Sequence, residues 1–283
     1  MDFQTSLHID GLTDIGNSRL NNEDAWWAGQ LGGGHVFMEP GAEPLHPRTP
    51  GAPVLLLVSD GVGGANAGEV ASRMAINLIA GELSREPGAL QKPETACATI
   101  RAVLGNASAA IAAKATQPGF EGMGATLSLL CFAGEGAVYW GQAGDSRIYV
   151  CREGWLRQIS RDHSPVGRMR QRGEITEAEA RRHPLRNQID QSLGDPIATF
   201  QPDVGVEKLR PGDVYLVCSD GLSDGLWDRE IRRILTAVRR PAEVRPAVHE
   251  LVAGAKQTSG RDNITAVVAL VEGPPAAGAT PGR

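Results

Sequence analysis

Two apolar runs interrupt an otherwise mixed chain: Val54-Leu55-Leu56-Leu57-Val58 and Val214-Tyr215-Leu216-Val217-Cys218. A short apolar run bounded by turn residues predicts a strand buried on both faces. Both runs stop at the same tripeptide, Ser59-Asp60-Gly61 and Ser219-Asp220-Gly221. Elsewhere apolar positions recur at helical spacing. Val70, Ala71, Met74, Ala75, Leu78 and Ile79 predict a helix over 67–83, and Ile100, Val103, Leu104, Ala107 and Ile111 predict another over 95–115. Two short strands are expected within 6–28, around the turn-rich Asp14–Ser18. Four more, at 126–132, 137–142, 147–151 and 156–160, have connections short enough to predict an antiparallel meander. Strands near 198–206 and 213–218, helices near 228–238 and 242–256, and a strand over 264–271 complete the pattern.

Three segments break it. Residues 32–53 hold five prolines among many glycines and cannot form a regular helix or central strand, so they read as a surface loop. Residues 161–186 are polar and arginine-rich; with the stretch to 197 they read as a small flap. Within it Thr176 and Glu179 have capping-box spacing. The flap arginines Arg161, Arg168, Arg170, Arg172, Arg181, Arg182 and Arg186 alternate with Glu174, Glu177 and Glu179. The default is a solvated mixed-charge face; the sharper reading is steering of acidic or phosphorylated substrates. Residues 272–283 lack large apolar side chains and read as a disordered tail, leaving one domain over 1–271.

The 283 residues, 41% hydrophobic and 22% charged, suit one large globular domain. A net charge of −5 argues against a nucleic-acid partner. Cys97, Cys131, Cys151 and Cys218 have no zinc-pair spacing and read as reduced structural residues. The first residues lack the basic and apolar regions of a signal peptide, and no apolar stretch is expected to reach the roughly 20 residues that cross a bilayer. A cytoplasmic, soluble monomer without membrane contact is expected.

An acid at the end of a doubly buried strand is costly unless something neutralises it. A lone Asp-Gly is more often a turn, but the same pattern recurs. Glu23 and Asp24 end Arg19-Leu20-Asn21-Asn22-Glu23-Asp24; Asp145 sits at a strand-to-strand turn; Asp224 follows Asp220 by four; Asp262 precedes the last strand. Nearly all fall at strand termini beside Gly or Asn, where they could converge at one edge of the sheets. Oxygen-only ligands suit Mg²⁺ or Mn²⁺ rather than zinc or copper. Carboxylates around two such ions suit phosphoryl hydrolysis, and Arg19 could clamp phosphate oxygens.

In order, Arg19…Asn22-Glu23-Asp24, Ser59-Asp60-Gly61-Val62-Gly63-Gly64, Gly122-Met123-Gly124-Ala125-Thr126, Gly144-Asp145-Ser146-Arg147, Asp162-His163-Ser164, Ser219-Asp220-Gly221-Leu222 and Asp262-Asn263-Ile264-Thr265 resemble the motif series of the metal-dependent (PPM, type 2C) Ser/Thr protein phosphatases, most of all the compact bacterial members. The resemblance implies an α+β fold, a four-layer α-β-β-α sandwich of two mostly antiparallel sheets flanked by helices. It implies hydrolysis of phosphoserine and phosphothreonine in proteins, by attack of a metal-bridging hydroxide on the phosphorus. By position, Asp60 would bridge two Mn²⁺ or Mg²⁺ ions and the Gly61 carbonyl would ligate one. Asp24, Asp220 and Asp262 would complete the shell, with Glu23 acting through water. Asp145, Asp220 and Asp224 would form a weaker third site, and Arg19 would bind the phosphate. Phosphorylated proteins, a Ser/Thr kinase and its substrates among them, would be the partners.

Two positions depart from the pattern. Val62 stands where some members carry a histidine assigned as general acid, and it cannot donate a proton. His163 is the tempting substitute, though its motif more often braces the flap. Ala125 replaces a frequent threonine, a change expected to stay within strand packing. Trp26-Trp27 are expected to pack beside the site. Two other readings stay open: a catalytically dead binder of phosphoproteins, which the presence of Asp24, Asp60, Asp220 and Asp262 disfavours, and a phosphatase for small metabolites.

Overall fold

The computed structural model describes residues 5–32, 45–46, 48–49, 52–63, 67–133, 136–196 and 199–273. Twelve strands form two sheets among them. One runs β3 (Arg48–Thr49), β1 (Thr5–Asp14), β12 (Ile264–Glu272), β11 (Val214–Cys218), β8 (Arg147–Arg152), β9 (Trp155–Gln158). The other runs β10 (Asp203–Lys208), β7 (Ala137–Ala143), β6 (Leu127–Ala133), β4 (Val54–Val62), β2 (Asp24–Gln30), with β5 (Gly124–Ala125) on the end of β4. Every strand pair in the two sheets is antiparallel.

The doubly buried strands sort their side chains with period two. On β4, Leu55 and Leu57 face the helices α1 (Ala67–Arg85) and α2 (Pro93–Lys114), while Val54, Leu56 and Val58 face the other sheet. On β11, Val214, Leu216 and Cys218 face the helices α6 (Asp228–Ala237) and α7 (Val244–Thr258), while Tyr215 and Val217 enter the inter-sheet layer. Three apolar layers therefore separate four layers of secondary structure, the α-β-β-α sandwich that the resemblance implied. All four cysteines are free, and Cys131, Cys151 and Cys218 are buried in strands.

Several expectations need correction. The four strands of 126–160 are two hairpins in different sheets: β6 pairs with β7, and β8 with β9. The chain changes sheet at Gly144-Asp145-Ser146, where Gly144 takes φ +93° and Gln142 Nε2 donates to the Gly144 and Ser146 carbonyls. Both Ser-Asp-Gly segments are expected to end their strands, and only the second does. Asp60 and Gly61 remain in β4, where Gly61 pairs with Ala125, whereas Asp220 opens a six-residue helix, α5 (Asp220–Gly225). Glu272 belongs to β12, opposite Ser6, rather than to a tail; residues 274–283 lie outside the described residues. Within 32–53, Leu45 bridges Ile9 and β3 pairs with β1; 33–44, 47 and 50–51 lie outside the description. The expected strand at 198–206 begins only at Asp203. Finally, α2 is 22 residues long with a window of mean hydropathy 1.3, long and apolar enough by composition to span a bilayer, contrary to expectation. Alanines supply much of that hydropathy, and its large side chains Ile100, Val103, Leu104 and Ile111 are buried within the fold.

The flap folds as α3 (Pro165–Gln171) and α4 (Glu177–Ala180). The Thr176–Glu179 capping box forms at α4. At α3 the Ser164 hydroxyl accepts from the Gly167 N–H.

Candidate metal centre

The β2–β4 register sets Asp24 directly opposite Asp60, and the antiparallel ends of β11 and β12 bring Asp220 and Asp262 to the same edge of the sandwich. Asp60, Asp145, Asp220, Asp224, Asp262, Glu23, Gly61 and Arg19 all line one cleft of about 670 Å³; the Asp24 side chain lies buried beneath it. Every predicted site residue is thus at this edge.

Neutral hydrogen-bonding groups hold the acids in place. Asp24 Oδ2 accepts from Ser219 Oγ (2.7 Å) and Thr265 Oγ1 (2.6 Å), so one carboxylate ties the two sheets together. Asp60 is framed by Thr126, whose Oγ1 accepts from the Asp60 N–H (2.9 Å) and whose N–H donates to the Asp60 carbonyl (2.8 Å). Asn263 anchors the 15–23 loop: its Oδ1 accepts from the Glu23 N–H, and its Nδ2 donates to the carbonyls of Ile15 and Asn21. Arg19 Nη2 donates to Asp262 Oδ2 at 2.6 Å. Gly61 is bare for steric reasons, since a Cβ there would lie 2.0 Å from the Gly68 carbonyl oxygen.

The electrostatics are unfavourable for the protein alone. Burial, then neighbouring carboxylates, drives Asp60 and Asp220 well above the usual carboxylate range. Burial raises Asp24 to about 6 despite the Thr265 and Ser219 hydrogen bonds. Burial, with Asp162 adding to it, raises Asp145 to about 7. Burial also raises Glu23. Asp24 Oδ1 and Asp220 Oδ1 are buried without a hydrogen-bond partner. Buried oxygens without donors, in a set of carboxylates raised by burial, call for positive charge. With oxygen as the donor throughout, the residues fit a hard divalent cation. Among the described residues no three of these carboxylates close on one point. Asp24 Oδ2 is held by hydroxyls and Asp262 by Arg19, so an ion would have to draw the remaining oxygens together.

Other predicted positions fall as follows. Val62 is 43% exposed and lines the cleft, offering no proton. His163 is a brace. Its Nδ1 lies 3.3 Å from the Gly144 N–H and 2.8 Å from Gln191 Nε2, its Nε2 is 3.5 Å from Asp203 Oδ2, and it does not line the cleft. Ala125 is buried and exchanges backbone hydrogen bonds with Leu193 at the end of the flap. Trp26 and Trp27 fill the inter-sheet and helix-facing layers. Of the flap arginines, Arg172 pairs with Glu174 and Arg168 with Asp190, while Arg181 and Arg186 reach the cleft. Sequence reasoning did not assign roles to Ser219, Thr265, Asn263 and Thr126; their presence inside the acid-bearing motifs was the available signal.

A sandwich of two antiparallel sheets carrying a carboxylate-lined cleft at one edge, with an arginine lining it, defines a candidate centre for divalent cations. The sequence profile described as Protein phosphatase 2C matches residues 45–253. The chain is 37% identical over 269 residues to the serine/threonine protein phosphatase PstP of Mycobacterium tuberculosis, an alignment covering 94% of this chain and 45% of that protein. It thus spans about half the length of that relative. It is 32% identical over 267 residues to the serine/threonine phosphatase stp of Listeria monocytogenes, covering 94% and 96%. The crystal structure of a PstP catalytic domain in complex with two manganese ions superposes with a TM-score of 0.75 at 33% identity, covering 95% of this chain and 99% of that one. The chain belongs to the protein phosphatase 2C family.

Proposed function

We propose that this chain is a Mn²⁺- or Mg²⁺-dependent phosphatase for phosphoserine and phosphothreonine in proteins, acting in the cytoplasm as a monomer and opposing a Ser/Thr kinase. The buried, unpartnered oxygens of Asp24 and Asp220 carry the reading, supported by the PstP structure with two manganese ions. Asp24, Asp60, Asp220, Asp262 and the Gly61 carbonyl would hold two cations, with Glu23 beside them; Asp145, Asp220 and Asp224 would hold a weaker third. Bound cations supply charge neutralisation of the phosphoryl group and an activated water. Arg19, held by Asp262, presents its remaining N–H groups at the cleft mouth, where they orient phosphate oxygens. Ser219 and Thr265 hold Asp24 Oδ2, and Thr126 holds the Asp60 backbone, so the cation would draw in the oxygens left free.

The test is a substrate panel in Mn²⁺: phosphothreonine, phosphoserine and phosphotyrosine peptides beside sugar phosphates. Preference for the first two supports the proposal. Turnover of sugar phosphates alone would move the assignment to metabolite hydrolysis.

A further inference from the structure

Helix α5 carries Asp220 at its first position and Asp224 at its fifth, and is only six residues long. The last carbonyls of a helix lack partners within it. Here two of them, and the carbonyl of the residue after the helix, are satisfied from the flap. Arg181, just beyond α4, donates from Nη1 to the Asp224 carbonyl (2.7 Å) and from Nη2 to the carbonyls of Ser223 (2.6 Å) and Leu226. Its guanidinium lies 4.4 Å from the Trp227 ring centroid, a cation–π distance. Glu177 on α4 completes the arrangement. Its Oε1 accepts from Arg181 Nη2 (3.1 Å) and from the N–H of Asp228 (3.1 Å), the first residue of α6. One flap ion pair therefore caps the end of α5 and the start of α6 together.

We propose that Arg181 is a positioning residue. By fixing the C-terminal turn of α5 from the flap, it sets the direction in which Asp220 and Asp224 face the cleft, and so couples flap docking to cation retention at these acids. This inference rests on the reading of the acids as cation ligands. Arg181 also lines the cleft, where it could act simply as a positive charge. The two roles have opposite signs. Deleting a positive charge near Asp145, Asp220 and Asp224 strengthens their attraction for a cation; releasing α5 weakens it, because Asp220 and Asp224 are no longer held on the cleft wall beside Asp145. Arg186 supplies the control, because it lines the same cleft and has no side-chain hydrogen-bond or ion-pair partner among the described residues.

The experiment is calorimetric Mn²⁺ binding to the full chain without substrate, for wild type, Arg181→Met, Arg181→Lys and Arg186→Met, with amide hydrogen exchange over 220–226. Arg181→Met should weaken the weakest-bound Mn²⁺ by about tenfold or more, the scale of losing charge-assisted hydrogen bonds. Arg181→Lys, which keeps the charge but not the planar fork, should fall between. Arg186→Met should bind as tightly as wild type or tighter, and only the Arg181 variants should exchange faster over α5. Weakest-site binding in Arg181→Met as tight as or tighter than wild type overturns the proposal. Should Arg181→Met fail to fold, Arg181→Lys decides, and wild-type affinity and exchange there overturn it. A wild type that binds no Mn²⁺ overturns the metal centre itself.

Discussion

Held in chelator, the fold should lose stability as pH rises from 5 to 8. Burial raises Asp24 to about 6 and Asp145 to about 7, and drives Asp60 and Asp220 up as well. A carboxyl raised in the folded state holds its proton there at pH values where the unfolded chain has released it. The folded state then binds more protons, and stability falls as pH climbs from the ordinary carboxylate range through the raised value. At about 1.4 kcal/mol per pH unit between the two values, ionising Asp24 costs about 3 kcal/mol and Asp145 about 4 kcal/mol, of which about 1 and about 3 kcal/mol fall above pH 5, with Asp60 and Asp220 adding to them. At about 2 °C per kcal/mol for a chain of this size, the midpoint should drop by roughly 5–15 °C between pH 5 and pH 8. Saturating Mn²⁺ should remove most of the drop, and Asp24→Asn should flatten the chelator profile by the share belonging to Asp24. Scanning calorimetry across this range in EDTA and in MnCl₂ measures all three. A metal-free midpoint that is flat or rises with pH refutes the picture of carboxylates held close together at a cost in stability.

Three substitutions probe other parts of the account. Arg19→Lys keeps the charge but loses the planar fork, so kcat/KM for a phosphothreonine peptide should fall roughly 10–100-fold; unchanged kinetics would remove Arg19 from phosphate binding. Asn263→Ala leaves the Glu23 N–H and the Ile15 and Asn21 carbonyls without their partner, and should cost about 1–3 kcal/mol in chemical denaturation. Arg147 is half-buried and forked onto Asp162 at 2.7–3.1 Å, so Arg147→Met should cost about 2–4 kcal/mol, somewhat less than breaking a fully buried pair. Paired with Asp162→Asn the loss should be smaller than the sum of the single losses, and additive losses in the double-mutant cycle would mean that the pair does not act as a unit.

The architecture was legible where one period dominates. The runs at 54–58 and 214–218 could be little else than doubly buried strands, and each alternates between a helix-facing and an inter-sheet layer. The acids were legible because charge at the end of such a strand is anomalous. What fixes them was not. Ser219, Thr265 and Thr126 are residue types that serve many turns and strands, and only the antiparallel register shows that two hydroxyls meet on Asp24. The change of sheet at Gly144 was hidden because a short connection reads the same whether the next strand stays or crosses. Arg181 was hidden for another reason: it bonds backbone carbonyls, which carry no residue identity. The helical character of Asp220–Gly225 was masked by a Ser-Asp-Gly that elsewhere continues a strand.

The central claim is that this cleft works through divalent cations held by its aspartates. Hydrolysis of a phosphothreonine peptide by wild type and Asp60→Ala, in Mn²⁺ and in EDTA, tests it most directly. Turnover should require Mn²⁺, vanish in chelator and return on adding the ion back, and Asp60→Ala should be inactive in both. Equal activity in chelator, or an unimpaired Asp60→Ala, would contradict it.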